Sequence, residues 1–187
     1  MAGLKFRVLL DSKEEDKVFR DILINEKETF ESLYKTIIHS FKFKGDQMAS
    51  FYMSNDDWDK GHEISLMDLS YSEEEPTEET PSVMNSATLK DYMEKSDQKI
   101  ILVYDFLKMW IFLVELISIE ETAPNSPEIT LSIGISPDEN SKEEIESPGD
   151  FTKDLYGSED DEEDYGFDDF EDGFSDEDIS DYDSYDY

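Results

Sequence analysis

An α+β domain, a mostly antiparallel sheet with one main helix packed on it, is what the sequence predicts, and three observations predict it. Phe30, Leu33, Tyr34, Ile37, Ile38 and Phe41 recur at helical spacing. Short runs on either side of that segment alternate apolar and polar residues, as half-buried strands do. Two long apolar runs, QKIILVYDF and MWIFLVELISI, stand close enough to be neighbouring central strands. The ββαβ opening allows a β-grasp-like arrangement. The domain is expected over residues 1–135, with a flexible acidic loop at 70–88. An acidic low-complexity tail, disordered when free, is expected over 136–187.

The elements follow in order. LKFRVLL and VFRDILI form a hairpin around the charged stretch DSKEEDK, with Leu4, Phe6 and Val8 on one face and Lys5 and Arg7 on the other. The helix then starts at Thr29, whose hydroxyl suits an N-cap; Glu31 favours the positive end, and Lys42, Lys44 and Gly45 suit the other. His39 falls one position past the apolar face and is a boundary residue. MASFYMS is a strand, and a polar turn leads from it to a short extended piece around Glu63 to Leu66. TLKDYMEKS makes one or two helical turns capped by Thr88 or Ser86, with Leu89, Tyr92 and Met93 turned inward. Lys99 to Phe106 and Trp110 to Ile119 are the central strands. Their Leu-Lys-Met link has no glycine, so one residue must adopt a left-handed conformation, and Lys108, the most exposed, is the expected one. EITLSIGIS alternates strictly and is a last edge strand.

Composition excludes more than it assigns. Fifty acidic against 16 basic residues give a formal charge of −34 over 187 residues, and from Phe151 onward 17 acids face a single lysine. Nonspecific nucleic-acid binding needs lysine and arginine to displace counterions, so no direct contact with DNA or RNA is expected, and a basic protein is the expected partner. The chain has no cysteine, which removes thiolate metal sites, disulfides and cysteine nucleophiles. The longest apolar stretch is about half the roughly 20 residues that a bilayer requires, and the N-terminal run is too brief for a secretory signal. No membrane segment and a cytoplasmic location are therefore expected. Asp56, Asp57, Asp59 and His62 are the densest set of candidate metal ligands, but their spacing fits no compact cation loop, and a solvated turn with Trp58 packed down is the expectation. A nucleophile elbow, a phosphate loop and an HExxH motif are all absent from the sequence. No catalytic, cofactor-binding or metal site is expected, and the protein is read as no enzyme.

The succession of hairpin, helix, tryptophan-bearing turn and YDFLKMW resembles the plasmid ORF-three-like domain of the pRiA type, also known as the passenger protein of certain insertion-sequence elements. The resemblance spans about residues 4–135 and is most specific at Tyr104, Asp105, Phe106 and Trp110. In many members the core reads Tyr-Asp-Phe-Gly-Asp-x-Trp-x-His. Here Leu107 and Lys108 replace Gly-Asp, and Phe112 stands in the histidine position. The resemblance implies a compact α+β domain of unassigned activity in which Tyr104, Phe106 and Trp110 are core aromatics. Any polar site built on the family's aspartate and histidine does not carry over. A serine-recombinase role has no support either, because it needs several arginines around a scissile phosphate, and Arg7 and Arg20 are the only two.

These readings converge on a non-catalytic interaction protein that presents its acidic, aromatic-rich tail to a basic partner. Phe167, Phe170 and Phe174, spaced three and four apart, are the candidate contact residues. The alternative is a nucleic-acid mimic or a regulator of a mobile-element DNA-processing protein.

Overall fold

The computed structural model describes residues 1–12, 17–68 and 82–143. Residues 70–81 of the expected acidic loop and 144–187 of the expected tail, with Phe167, Phe170 and Phe174, lie outside the described residues.

The chain runs β1 (Gly3–Leu10), β2 (Val18–Asn25), α1 (Phe30–Ser40), β3 (Ala49–Ser54), β4 (Lys60–Ser65), β5 (Ser82–Val83), a 3-10 turn (Leu89–Asp91), β6 (Lys99–Tyr104), β7 (Trp110–Glu120) and β8 (Glu128–Ile133). The strands make one sheet in the order β5-β4-β3-β6-β7-β1-β2-β8. All neighbours are antiparallel except β4 and β5, so the sheet is mixed and the fold is α+β. The β1–β2 hairpin is separated from β3 by β7 and β6.

Alternation decides which face is the core. Leu4, Phe6, Val8 and Leu10 of β1 are buried, and register places Phe6 beside Ile22 and Leu116, and Leu10 beside Val18 and Phe112. Onto this face packs α1 through Phe30, Leu33, Tyr34, Ile37 and Ile38. Burying five such side chains contributes on the order of 10 kcal/mol before chain entropy is counted, far more than the caps supply. Thr29 accepts from the Ser32 amide at 3.3 Å, as an N-cap does. β6 sits in the middle of the sheet, and Ile101 and Val103, facing away from the helix, are as fully buried as Ile100 and Leu102. Burial on both faces explains why KIILVY is a continuous apolar run instead of an alternating one.

The two arginines have separate structural tasks. Arg7, on the outer face, meets Asp21 across the hairpin with two bonds of 2.8 and 2.9 Å and lies over the Phe19 ring. Arg20 is on the helix side and buried. Its guanidinium donates to the carbonyls of Ser40 at 3.1 Å, Phe19 at 2.8 Å and Ile133 at 2.7 Å, tying the negative end of α1 to the edge strand. Arg20→Met is expected to destabilise the domain by about 2–4 kcal/mol, because buried carbonyls lose their donors. A denaturant titration showing less than about 1 kcal/mol would contradict this role.

Several expectations are corrected. Residues 82–88, placed in the flexible loop, are ordered: Met84 and Ala87 are buried, and their carbonyls receive the amides of Glu31 and Phe30. Thr88 makes no side-chain cap on the 3-10 turn, and neither does Ser86. The amides of Leu89 and Lys90 donate instead to the carbonyls of Glu28 and Glu26. β8 is the edge strand expected, with every residue exposed. The domain does not end at 135, because the chain returns from that edge and residues 138–142 pack beside β6 and β7.

Candidate functional site

The described residues bring the YDFLKMW segment together with two stretches that the sequence left apart, the exit from α1 and the 138–142 strap. At the exit, Phe41 ends the helix and Lys42 takes a left-handed conformation with φ 62°. The Phe43 amide then reaches back to the Ile38 carbonyl at 3.0 Å, closing a Schellman-type end in which lysine occupies the usual glycine position. This reversal turns Phe43 inward. Its ring lies 5.0 Å from Trp110 and 5.9 Å from both Tyr104 and Phe112, so one side chain contacts every aromatic of the segment that faces the helix. Gly45, with φ 75°, continues the loop where a Cβ would come within 3.1 Å of Ile38.

Asp105 builds the β6–β7 turn. It holds φ 57°, and its carboxylate accepts from the amides of Leu107 at 3.1 Å and Lys108 at 3.2 Å. An aspartate can occupy that region because its short acceptor replaces the bonds a regular strand would have made. Met109, at φ 52°, is the second left-handed residue. The strain expected at Lys108 thus falls on Asp105 and Met109. Phe106 is corrected too. It is 42% exposed at the turn tip beside Leu107, while Tyr104 and Trp110 are buried.

Around Tyr104 the polar groups form a closed set. Its hydroxyl donates to the Glu139 carboxylate at 2.5 Å and accepts from the Gly45 amide at 3.0 Å. The other Glu139 oxygen accepts from the Lys44 amide at 2.9 Å, and the Trp110 indole donates to the Glu139 carbonyl at 3.2 Å. Glu139 is only 8% exposed. Lys142 covers the Trp110 ring and donates to the Met109 carbonyl, and Lys108 donates to Asn140.

The electrostatics keep these tyrosines protonated. Burial pushes the Tyr104 phenol well above its usual range, and the hydrogen bond to the negative Glu139 pushes it the same way. Tyr34 is pushed up to about 12, first by burial and then by the charges of Asp46 and Glu139. Burial, with Glu63 beside it, raises Tyr52 to about 12. A general base needs its ionised form near the working pH, and these phenols stay protonated. The shifts also fix a pH dependence. A phenol raised in the folded state favours the protonated protein, so the stability it contributes is complete below the unfolded value near 10 and is lost as pH rises toward about 12. Loss of near-ultraviolet circular dichroism should therefore coincide with the late fraction of tyrosinate absorbance. Complete ionisation of the tyrosines near pH 10 with the fold intact would contradict it.

The other candidate ligands do not assemble. Asn55 organises the 55–59 turn, accepting from the amides of Asp57 and Asp59 at 3.0 Å each, and Lys99 bridges to Asp56. Trp58 is half-buried, 5.2 Å from the Lys99 amine. His62 points elsewhere, to Ser82 at 2.8 Å, with its ring stacked on Tyr92. Among the described residues no group of three or more histidine or carboxylate side chains is placed to hold a metal ion. His39 is exposed. Among the described residues no helix is long and apolar enough to cross a membrane.

Against this geometry, the family model for plasmid pRiA4b ORF-3-like protein matches residues 2–183. The chain belongs to that family. The match extends well beyond the 4–135 expected and takes in both the strap and most of the acidic run. A crystal structure of a protein of unknown function from Methanosarcina mazei Go1 superposes with a TM-score of 0.60 at 20% identity, covering 76% of this chain and 75% of that one. At that identity the likeness shows a shared fold. No functionally curated protein matches the chain. Within the ORF-3-like family motif of this chain, Tyr104 and Trp110 are core and strap contacts, Asp105 makes the turn, and Phe106 is surface. Phe112, in the position where many members have histidine, is fully buried between Phe41 and Phe43.

Sequence reasoning missed Phe43, Lys44 and Glu139. The alternation of Phe41-Lys42-Phe43-Lys44 was a signal for the first, since it marks an extended exit with one inward face. Nothing in the sequence distinguishes Glu139 from its many acidic neighbours.

Proposed function

We propose that this ORF-3-like protein is a non-catalytic interaction protein whose folded domain carries a polyanionic, aromatic-rich segment to a basic partner protein in the cytoplasm. The observation that carries the reading is the placement of charge. Residues 151–187 hold 17 acids against one lysine, interleaved with nine aromatics. Such a run attracts cationic surfaces over roughly a Debye length and repels nucleic acid. Phe167, Phe170 and Phe174 then supply apolar contact once the charges have brought the partner close. Sixteen basic against 50 acidic residues support a reading without direct nucleic-acid binding. The alternative, a nucleic-acid mimic or a regulator of a mobile-element DNA-processing protein, is favoured by the carboxylate density and by the plasmid context of the family. It differs in making the partner a DNA-binding protein.

The test is affinity capture with the full chain and with a chain ending at Glu143. The full chain should retain basic proteins that elute as salt rises, and the shortened chain should lose them. Identical capture by both would sink the reading. Displacement of the captured protein by duplex DNA would favour the mimic.

A further inference from the structure

The two edges of the sheet are finished differently. At one end β5 has only two residues, and its Ser82 hydroxyl is held by His62 at 2.8 Å and by Tyr92 at 2.9 Å. At the other end β8 runs for six residues, all of them exposed, and pairs with β2 alone. Alternate main-chain amides and carbonyls of such a strand face away from its neighbour. Among the described residues no backbone hydrogen bond reaches them. An open edge is normally guarded by brevity, a lysine, a proline or a bulge. β8 contains no lysine or proline, and its one guard is the register shift opposite Asp21 and Ile22, where the Thr130 hydroxyl donates to the Asp21 carbonyl at 3.2 Å. Arg20 also fastens the far end of the strand, donating to the Ile133 carbonyl at 2.7 Å.

Charge selects the occupant. The chain carries −34, so most surfaces that two copies could bring together would oppose carboxylates. Residues 129–136 hold no charged side chain. Leu131 and Ile133 stand 39% and 42% exposed on the outer face, opposite Asp21 and Phe19. An antiparallel pair of β8 strands related by a two-fold axis at Leu131 sets Leu131 against its own copy, and Glu128 of one chain against Gly134 of the other. Lys17 lies beside Gly134, its carbonyl within 2.7 Å of the position that a Cβ there would occupy. Glu128 and Lys17 are both exposed. The axis that joins the apolar residues therefore brings each Glu128 to the Lys17 of the other copy and keeps the two Glu128 side chains at opposite ends.

We propose that β8 is a dimerisation edge, at which two copies of this chain pair antiparallel about a two-fold axis at Leu131 and continue one sheet across both. Main-chain bonds supply the pairing, Leu131 and Ile133 supply the apolar contact, and Glu128 with Lys17 fixes the register.

The experiment is sedimentation equilibrium on the full chain at physiological salt, where the overall repulsion is screened beyond about 8 Å. Wild type is compared with Leu131→Lys, Glu128→Lys, Lys17→Glu and the double variant that carries both charge changes, each checked for folding by circular dichroism. Wild type should dimerise. Leu131→Lys, which sets two lysines face to face on the axis, should weaken the dimer at least about tenfold. Either charge change alone should weaken it at least about threefold, and the double variant should return to within about twofold of wild type. A wild type that stays monomeric at millimolar concentration would overturn the proposal, as would a dimer indifferent to Leu131→Lys or a double variant no tighter than the singles. If Leu131→Lys does not fold, the charge series decides alone, since Glu128 and Lys17 are exposed.

Discussion

Phe112→His, which restores the residue many ORF-3-like proteins carry, is expected to destabilise this protein by about 3 kcal/mol or more, and so to lower the denaturant midpoint substantially. Phe112 has no exposure, sits edge-on to Phe41 at 5.0 Å, and has Leu10 and Leu102 beside it in register. An imidazole there gives up part of the ring's apolar burial and brings two nitrogens into a site lined by Phe41 and Phe43. The nearby Arg20 guanidinium lies over the opposite partner, Phe41, and already donates to carbonyls, so it offers a cation and no acceptor. A variant as stable as wild type would mean that the site tolerates polar groups, and that the phenylalanine is not what closes it.

The second large effect is expected at Asp105. Asp105→Ala should cost about 2–4 kcal/mol, the sum of a left-handed alanine and two amides that lose their acceptor. Asp105→Asn should retain most of the stability, because asparagine tolerates the conformation and keeps one acceptor. Asp105→Gly should fall between them, relieving the strain without replacing the bonds. An equal loss for alanine and asparagine would show that charge matters at this position and turn geometry does not. The series separates the structural use of the motif's aspartate from a chemical one.

How legible this was in the sequence depends on how far apart the interacting residues lie. α1 could be read directly, since its buried positions and its Thr29 cap are local consequences of spacing. The pairing of β6 with β7 was legible for the same reason. The left-handed residues were not. Leu-Lys-Met offers no glycine, and exposure suggested Lys108, but the side-chain acceptor of Asp105 outweighs exposure in choosing which residue bears φ 57°. Phe106 was misplaced because an aromatic inside a motif suggests a core position, whereas the turn begins one residue earlier and leaves it at the tip. Glu139 was invisible because its partners Lys44 and Tyr104 are 95 and 35 residues distant, and because one useful carboxylate looks the same as its neighbours in so acidic a chain. The element that joins the helix exit, the motif and the strap is thus one that no local pattern announces.

That junction makes Tyr104 and Trp110 parts of a scaffold that fixes where residues 138–142 run beside β6 and β7. A double-mutant cycle with Tyr104→Phe and Glu139→Ala, read as unfolding free energy, tests this claim most directly. A hydrogen bond of 2.5 Å between a buried phenol and a carboxylate predicts a coupling of about 1.5 kcal/mol, with each single change weakening the domain. Additive effects, within about 0.3 kcal/mol, would contradict it and detach the motif tyrosine from the strap.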